Sequence, residues 1–267
     1  MTLNRFAQVL AGASDGHYEL PAPVVEALAV LNRAQLAQAA VTPPYAASKR
    51  EAFTERILAA PTLADLPDAH ALVELEATER AYHLWSVAVR DALDIAEQRL
   101  VDALVADIDS VITNCLRPAH SAAVEAARRH APMSPLVAAG PAALAALNGD
   151  QRDAADELAQ ATARYGATRA AWGEMIRANR QPRADLDNVF GELRDLPTVW
   201  SSYRQRGNDA PWPVDPVLRL VWIAHHASPW LPTPSEQQER FLEVYGDAID
   251  QAAHNREQMR GLAAVFQ

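Results

Sequence analysis

Apolar residues recur at intervals of three and four along most of the chain, and strand-like alternation is nearly absent. The pattern predicts an all-α protein. A short amphipathic helix opens it within Met1–Gly16. A clearer helix follows over Pro23–Ala40, with Val24, Leu28, Leu31 and Leu36 in helical register. Thr42-Pro43-Pro44-Tyr45 breaks that helix. Ser48-Lys49-Arg50-Glu51 reads as a capping box, in which a Ser hydroxyl and a Glu carboxylate each accept from the other's backbone amide. That box starts a helix carrying Phe53, Ile57 and Leu58 and ending at Pro61.

The dominant element comes next. From Asp68 to Leu116 there is neither Gly nor Pro. Tyr82, Trp85, Val89, Leu93, Ala96, Leu100, Leu104, Ile108, Val111 and Cys115 form one stripe, with Arg90, Asp91, Asp94, Arg99, Asp102 and Asp109 on the opposite face. The expectation is a single helix of about 49 residues, roughly 74 Å long, with Asp107 and Asp109 on a solvated face. Pro118 should kink or end it, and an Ala-rich continuation runs to Ala131. A second long helix is expected over about Gln151–Asn179, with the seam Ala154, Leu158, Ala161, Tyr165, Thr168, Trp172 and Ile176. Gly166 and Gly173 mark either a close backbone approach or unconstrained surface positions. At about 44 Å, this helix cannot cover the first.

After Pro182 the texture changes. Nine of the 17 aromatic residues and four of the six Trp fall in Phe190–Phe266, among frequent prolines. Asp215-Pro216 reads as an N-cap with Pro at the first helical position. Thr233-Pro234-Ser235-Glu236 combines a capping box with a Pro start, for a last helix to about Val265. The predicted architecture is an elongated helical bundle built on a long antiparallel hairpin. It divides into short helices (1–67), the hairpin (68–180) and an aromatic-rich helical cap (181–267).

Composition qualifies this picture. The chain has 55 Ala, 23 Arg and one Lys, as GC-rich coding produces, so its cores must be thin and its helices long. The formal net charge of −10 disfavours general nucleic-acid binding. A single Cys, Cys115, excludes an internal disulfide framework and favours a buried small hydrophobe on the seam. No apolar run approaches a membrane span, and the N-terminus reads poorly as an export signal, so a cytoplasmic location is expected, or a virus particle for a phage-encoded chain.

Candidate chemistry is sparse. Glu76, Glu79 and His83 share a helix face near Glu74, but pairing of Glu76 with Arg80 explains them better than a metal. Arg117, His120, Arg128, Arg129 and His130 form a small basic cluster at a helix end. No nucleophile elbow, phosphate loop or dinucleotide fingerprint is present. No catalytic residue, metal ligand or cofactor is therefore assigned, and no enzymatic activity is expected.

Two association surfaces remain. A self-association seam is expected along Trp85, Val89, Leu93, Leu100, Leu104, Ile108 and Val111. A partner surface is expected at Trp200, Trp212, Trp222, Trp230, His225 and His226, although a small aromatic core explains the same residues. In its acidic, Ala-rich, Cys-poor character the chain is similar to helical assembly proteins of bacteriophages, scaffolding proteins among them. The expectation is a structural or assembly protein binding itself, with an adaptor or regulatory module for another protein as the alternative. A helical-bundle metal enzyme is the remaining possibility.

Overall fold

A computed structural model describes residues 6–40, 54–59, 70–178, 190–200 and 210–246. The fold is all-α. Its helices are α1 (Ala7–Ser14), α2 (Ala22–Ala39), α3 (54–59), α4 (His70–Ala106), α5 (Ile108–Ser110), α6 (Arg117–Arg129), α7 (Ser134–Ala139), α8 (Pro141–Leu144), α9 (Gly149–Ala178), α10 (Leu196–Val199), α11 (Pro216–His226) and α12 (234–246). The expected capping box at Ser48–Glu51 and the last helix beyond 246 lie outside the described residues.

The long helix is not continuous. Asp107 leaves helical geometry at φ −138° and ψ 52°, and its carboxylate accepts from the Ser110 backbone amide. It is an N-cap that is also solvent-exposed, as is Asp109, so the expected solvated face is observed with a capping role added. A π-helical turn, Val111–Leu116, then leads directly into α6. Pro118 neither ends nor breaks the helical path. It sits in the first turn of α6, where its missing N–H costs little, and the wide π turn before it accommodates the ring.

Two compact units are distinguished by packing. One comprises Met1–Thr2 and Ala22–Ala103, and the other Leu3–Pro21 and Leu104–Gln267. The boundary falls within α4. In the first unit the buried apolar side chains include Val24, Leu31, Val89, Ala96, Leu100 and Val101.

In the second unit α9 is the central element. It packs on α6, α1, α7, α11 and the π turn. Ala123, Val124 and Ala127 of α6 meet Leu158, Ala161 and Tyr165 of α9 and Leu220 and Ala224 of α11. Four of these eight buried residues are Ala, so the helices must approach closely to exclude water. Gly166 and Gly173 play no part in this approach, since a Cβ at either would meet nothing within 4 Å. The close approach is at Gly12, where a Cβ would lie 2.6 Å from the Tyr18 hydroxyl.

Two expected helix starts are observed. Asp215 accepts from the backbone amides of Val217 (2.9 Å) and Leu218 (3.0 Å). Both halves of the Thr233–Glu236 box form: the Thr233 amide donates to Glu236 Oε2 (2.8 Å), and the Glu236 amide to Thr233 Oγ1 (3.3 Å).

Candidate functional site

The second unit holds a cleft of about 390 Å³. Arg117, His120 and Ser121 of α6 form one wall, Arg194 and Trp230 a second, and Glu236, Glu239, Arg240 and Glu243 of α12 a third. Local pairing accounts for most of these charges. The Arg117 guanidinium donates to Glu236 (2.5 Å) and to the Leu231 carbonyl through Nε and Nη2. Arg240 donates to Glu243 (2.7 Å) and to the Arg194 carbonyl (2.9 Å). Arg194 lies over the Trp230 ring, 5.6 Å from its centroid. The cleft floor is therefore tied by its own side chains, which leaves a weak field for an incoming charge.

His120 is the unusual member. It is 2% exposed, its ring lies 4.9 Å from that of Tyr165, and its Nε2 has no hydrogen-bond partner. Burial, helped by the nearby Arg169 and Arg117 guanidiniums, pushes its pKa down to about 3, so the imidazole is neutral at physiological pH. Leu116, His120, Ala123 and Ala127 continue one buried helical face, a signal the sequence carries beneath the basic cluster in which His120 also falls.

Of the other members of that cluster, Arg129 is exposed, while Arg128 and His130 are engaged internally. Arg128 donates to the Ala224 carbonyl and to Glu125, and His130 pairs with Glu157 at 2.7 Å. Nearby, Glu192 accepts from the Tyr165 hydroxyl (2.9 Å) and from Arg219 (2.5 Å), while Arg169 donates to the Gly191 carbonyl. This network pins the 190–200 segment to α9 and α11.

The C-terminal aromatic residues surround a small core. Phe190, Leu193, Leu196 and Ile223 are buried, and Trp200, Trp212, Trp222 and Trp230 pack around them, each half-buried. Trp212 lies 5.4 Å from Trp200 and 5.9 Å from Trp222, centroid to centroid. Trp230 Nε1 donates to the Phe190 carbonyl at 2.7 Å. His226 stacks on Trp222 at 4.9 Å, and its Nδ1 is 2.9 Å from the Trp222 carbonyl; His225 is exposed. The four Trp thus have an internal packing role, with only their outer faces available to a partner, whereas His225 and His226 are both exposed.

The expected self-association seam is also largely internal. Val89, Leu100, Leu104, Ile108 and Val111 are buried, and Leu93 is half-buried. Trp85 departs from the seam, at 54% exposed. Cys115 is half-buried, and burial together with Asp107 and Glu19 raises its thiol pKa.

The exposed apolar residues of α4 lie elsewhere. Val73, Leu84 and Ile95 are 60%, 62% and 55% exposed. Successive residues of a helix are separated by about 100°, which places these three within about 40° of one another and opposite Val89, Ala96 and Leu100. Val87, also exposed, flanks them. Their repeat of eleven residues could have been found in the sequence, but the buried stripe is denser and masks it.

Glu76 and His83 are exposed, and no ion pair joins Glu76 to Arg80. Among the described residues no group of three or more His, Cys, Asp or Glu could hold a metal, and no helix is long and apolar enough to cross a membrane. No protein-family model matches the chain, and no curated protein or solved structure is significantly similar to it.

Proposed function

We propose that this is a non-enzymatic helical structural or assembly protein that acts by binding further copies of itself. The observation carrying this reading is the distribution of exposed apolar side chains. Eleven large ones are exposed among the described residues, and nine of them lie in the unit containing Ala22–Ala103: Val25, Leu36, Ile57, Leu58, Val73, Leu84, Trp85, Val87 and Ile95. Scattered exposed hydrophobes are ordinary, but their concentration in one unit supports an association surface there. The compositional similarity to phage assembly proteins supports a phage or prophage particle or scaffold as the setting.

The adaptor reading draws less support, because the Trp side chains that would carry it pack against their own small core. Sedimentation velocity across a concentration series tests the proposal. The average mass is expected to rise with concentration, and a chain monomeric up to its solubility limit would overturn it.

A further inference from the structure

We propose that α4 pairs with α4 of a second copy in antiparallel orientation, about a twofold axis passing beside Leu84. This deepens the self-association reading and rests on it. The evidence is the symmetry of the exposed face. Val73, Leu84 and Ile95 are spaced by eleven residues on each side of Leu84. Eleven residues make about three turns, so the three side chains stay nearly in line over about 33 Å.

Reversing the helix about Leu84 maps the face onto itself. Val73 meets Ile95 of the partner subunit, Leu84 meets Leu84 of the partner subunit, and Ile95 meets Val73 of the partner subunit. A self-complementary patch of this kind is what a closed twofold dimer requires.

The charges on the same face select the orientation. Arg80 and Asp91 lie within the stripe, both exposed and neither in an ion pair among the described residues. Reversal about Leu84 brings Ala77 opposite Asp91 of the partner subunit and Arg80 opposite Ala88 of the partner subunit. Arg80 is then about 4.5 Å along the axis from Asp91 of the partner subunit, within a guanidinium's reach. The stem of Arg80 crosses a small residue on the way. The twofold axis makes the pair twice. A parallel pair in register would instead set Arg80 against Arg80 of the partner subunit, and Asp91 against Asp91 of the partner subunit. Like charges in those positions oppose association. An unrelated partner would have no reason to find a face symmetric about its own centre.

Directed crosslinking tests the orientation. In a C115S background, V73C and I95C proteins are prepared separately and oxidised alone or as a mixture. The mixture is expected to give a disulfide-linked V73C–I95C dimer in excess of either self-linked product. Self-linked V73C without the mixed product would overturn the antiparallel arrangement.

Charge reversal supplies an independent readout. R80D or D91R alone should weaken self-association about tenfold, since each variant loses two cross pairs and gains repulsion. The R80D/D91R double variant should recover most of it, with helix content unchanged by circular dichroism. Double-variant association no better than the singles would count against the pairing. If the wild-type chain never self-associates, the functional reading fails along with this one. If it associates but gives neither the mixed disulfide nor the charge rescue, only this arrangement fails.

Discussion

Glu174 shows what one side chain contributes. It sits on α9, is 7% exposed, and accepts from the backbone amides of Gln8 (2.8 Å) and Val9 (3.1 Å). Those amides belong to the first turn of α1, whose own N-cap residue, Phe6, has no acceptor to offer. A carboxylate supplied by another helix therefore caps α1. Burial raises the Glu174 pKa in spite of these two bonds, so desolvation of the charge outweighs them. E174A should leave the amides unpaired and cost about 1–3 kcal/mol. E174Q keeps an acceptor and should cost less. Urea unfolding monitored by circular dichroism measures both, and equal losses would show that the cap is not what matters.

His120 gives the second prediction at this scale. Its folded pKa of about 3 lies below its ordinary value of 6.5, so the unfolded chain binds more protons between those limits. Stability from this group is fully present above pH 6.5 and is lost as pH falls toward 3. H120F retains a ring against Tyr165 and removes the titration. Its stability should vary less than the wild type's between pH 6.5 and 4, measured by urea titration at each pH. Parallel profiles for the two proteins would refute the neutral buried imidazole.

Helix ends were more legible than helix interiors. Asp215-Pro216 and Thr233–Glu236 identify themselves, because a cap is a local bargain among four residues. D215A should cost about 1 kcal/mol, visible as a lower urea midpoint with unchanged slope. The cap on α1 was illegible, since Glu174 lies 165 residues from Val9. The break at Asp107 was illegible for a different reason. Apolar spacing runs unbroken through Leu104, Ile108 and Val111, and a π turn adds a residue without disturbing that count by much. Trp85 fitted the stripe by spacing alone, yet the side chain stands on the flank. In the aromatic third, sequence showed that bulky residues gather there but not whether they face inward. That depended on Trp230 finding the Phe190 carbonyl and on Glu192 joining Tyr165 to Arg219.

At the scale of the whole molecule, net charge and apolar surface pull in opposite directions. Each chain carries −10, so bringing two together opposes association over roughly a Debye length, about 10 Å at 0.1 M salt and 3 Å at 1 M. The proposed interface has only two exposed Arg–Asp pairs, each worth about 0.2–1 kcal/mol. Its apolar stripe, by contrast, is insensitive to screening. If burial of Val73, Leu84 and Ile95 drives association, added salt should remove more repulsion than attraction, and self-association should tighten between 0.05 and 0.5 M NaCl. Equilibrium sedimentation at the two salt concentrations measures this. L84D should abolish association at both, because it places a charge on the twofold axis directly against its own copy. Weakening of the wild-type assembly by salt would mean that ion pairs hold it, and the stripe would then be only its lining.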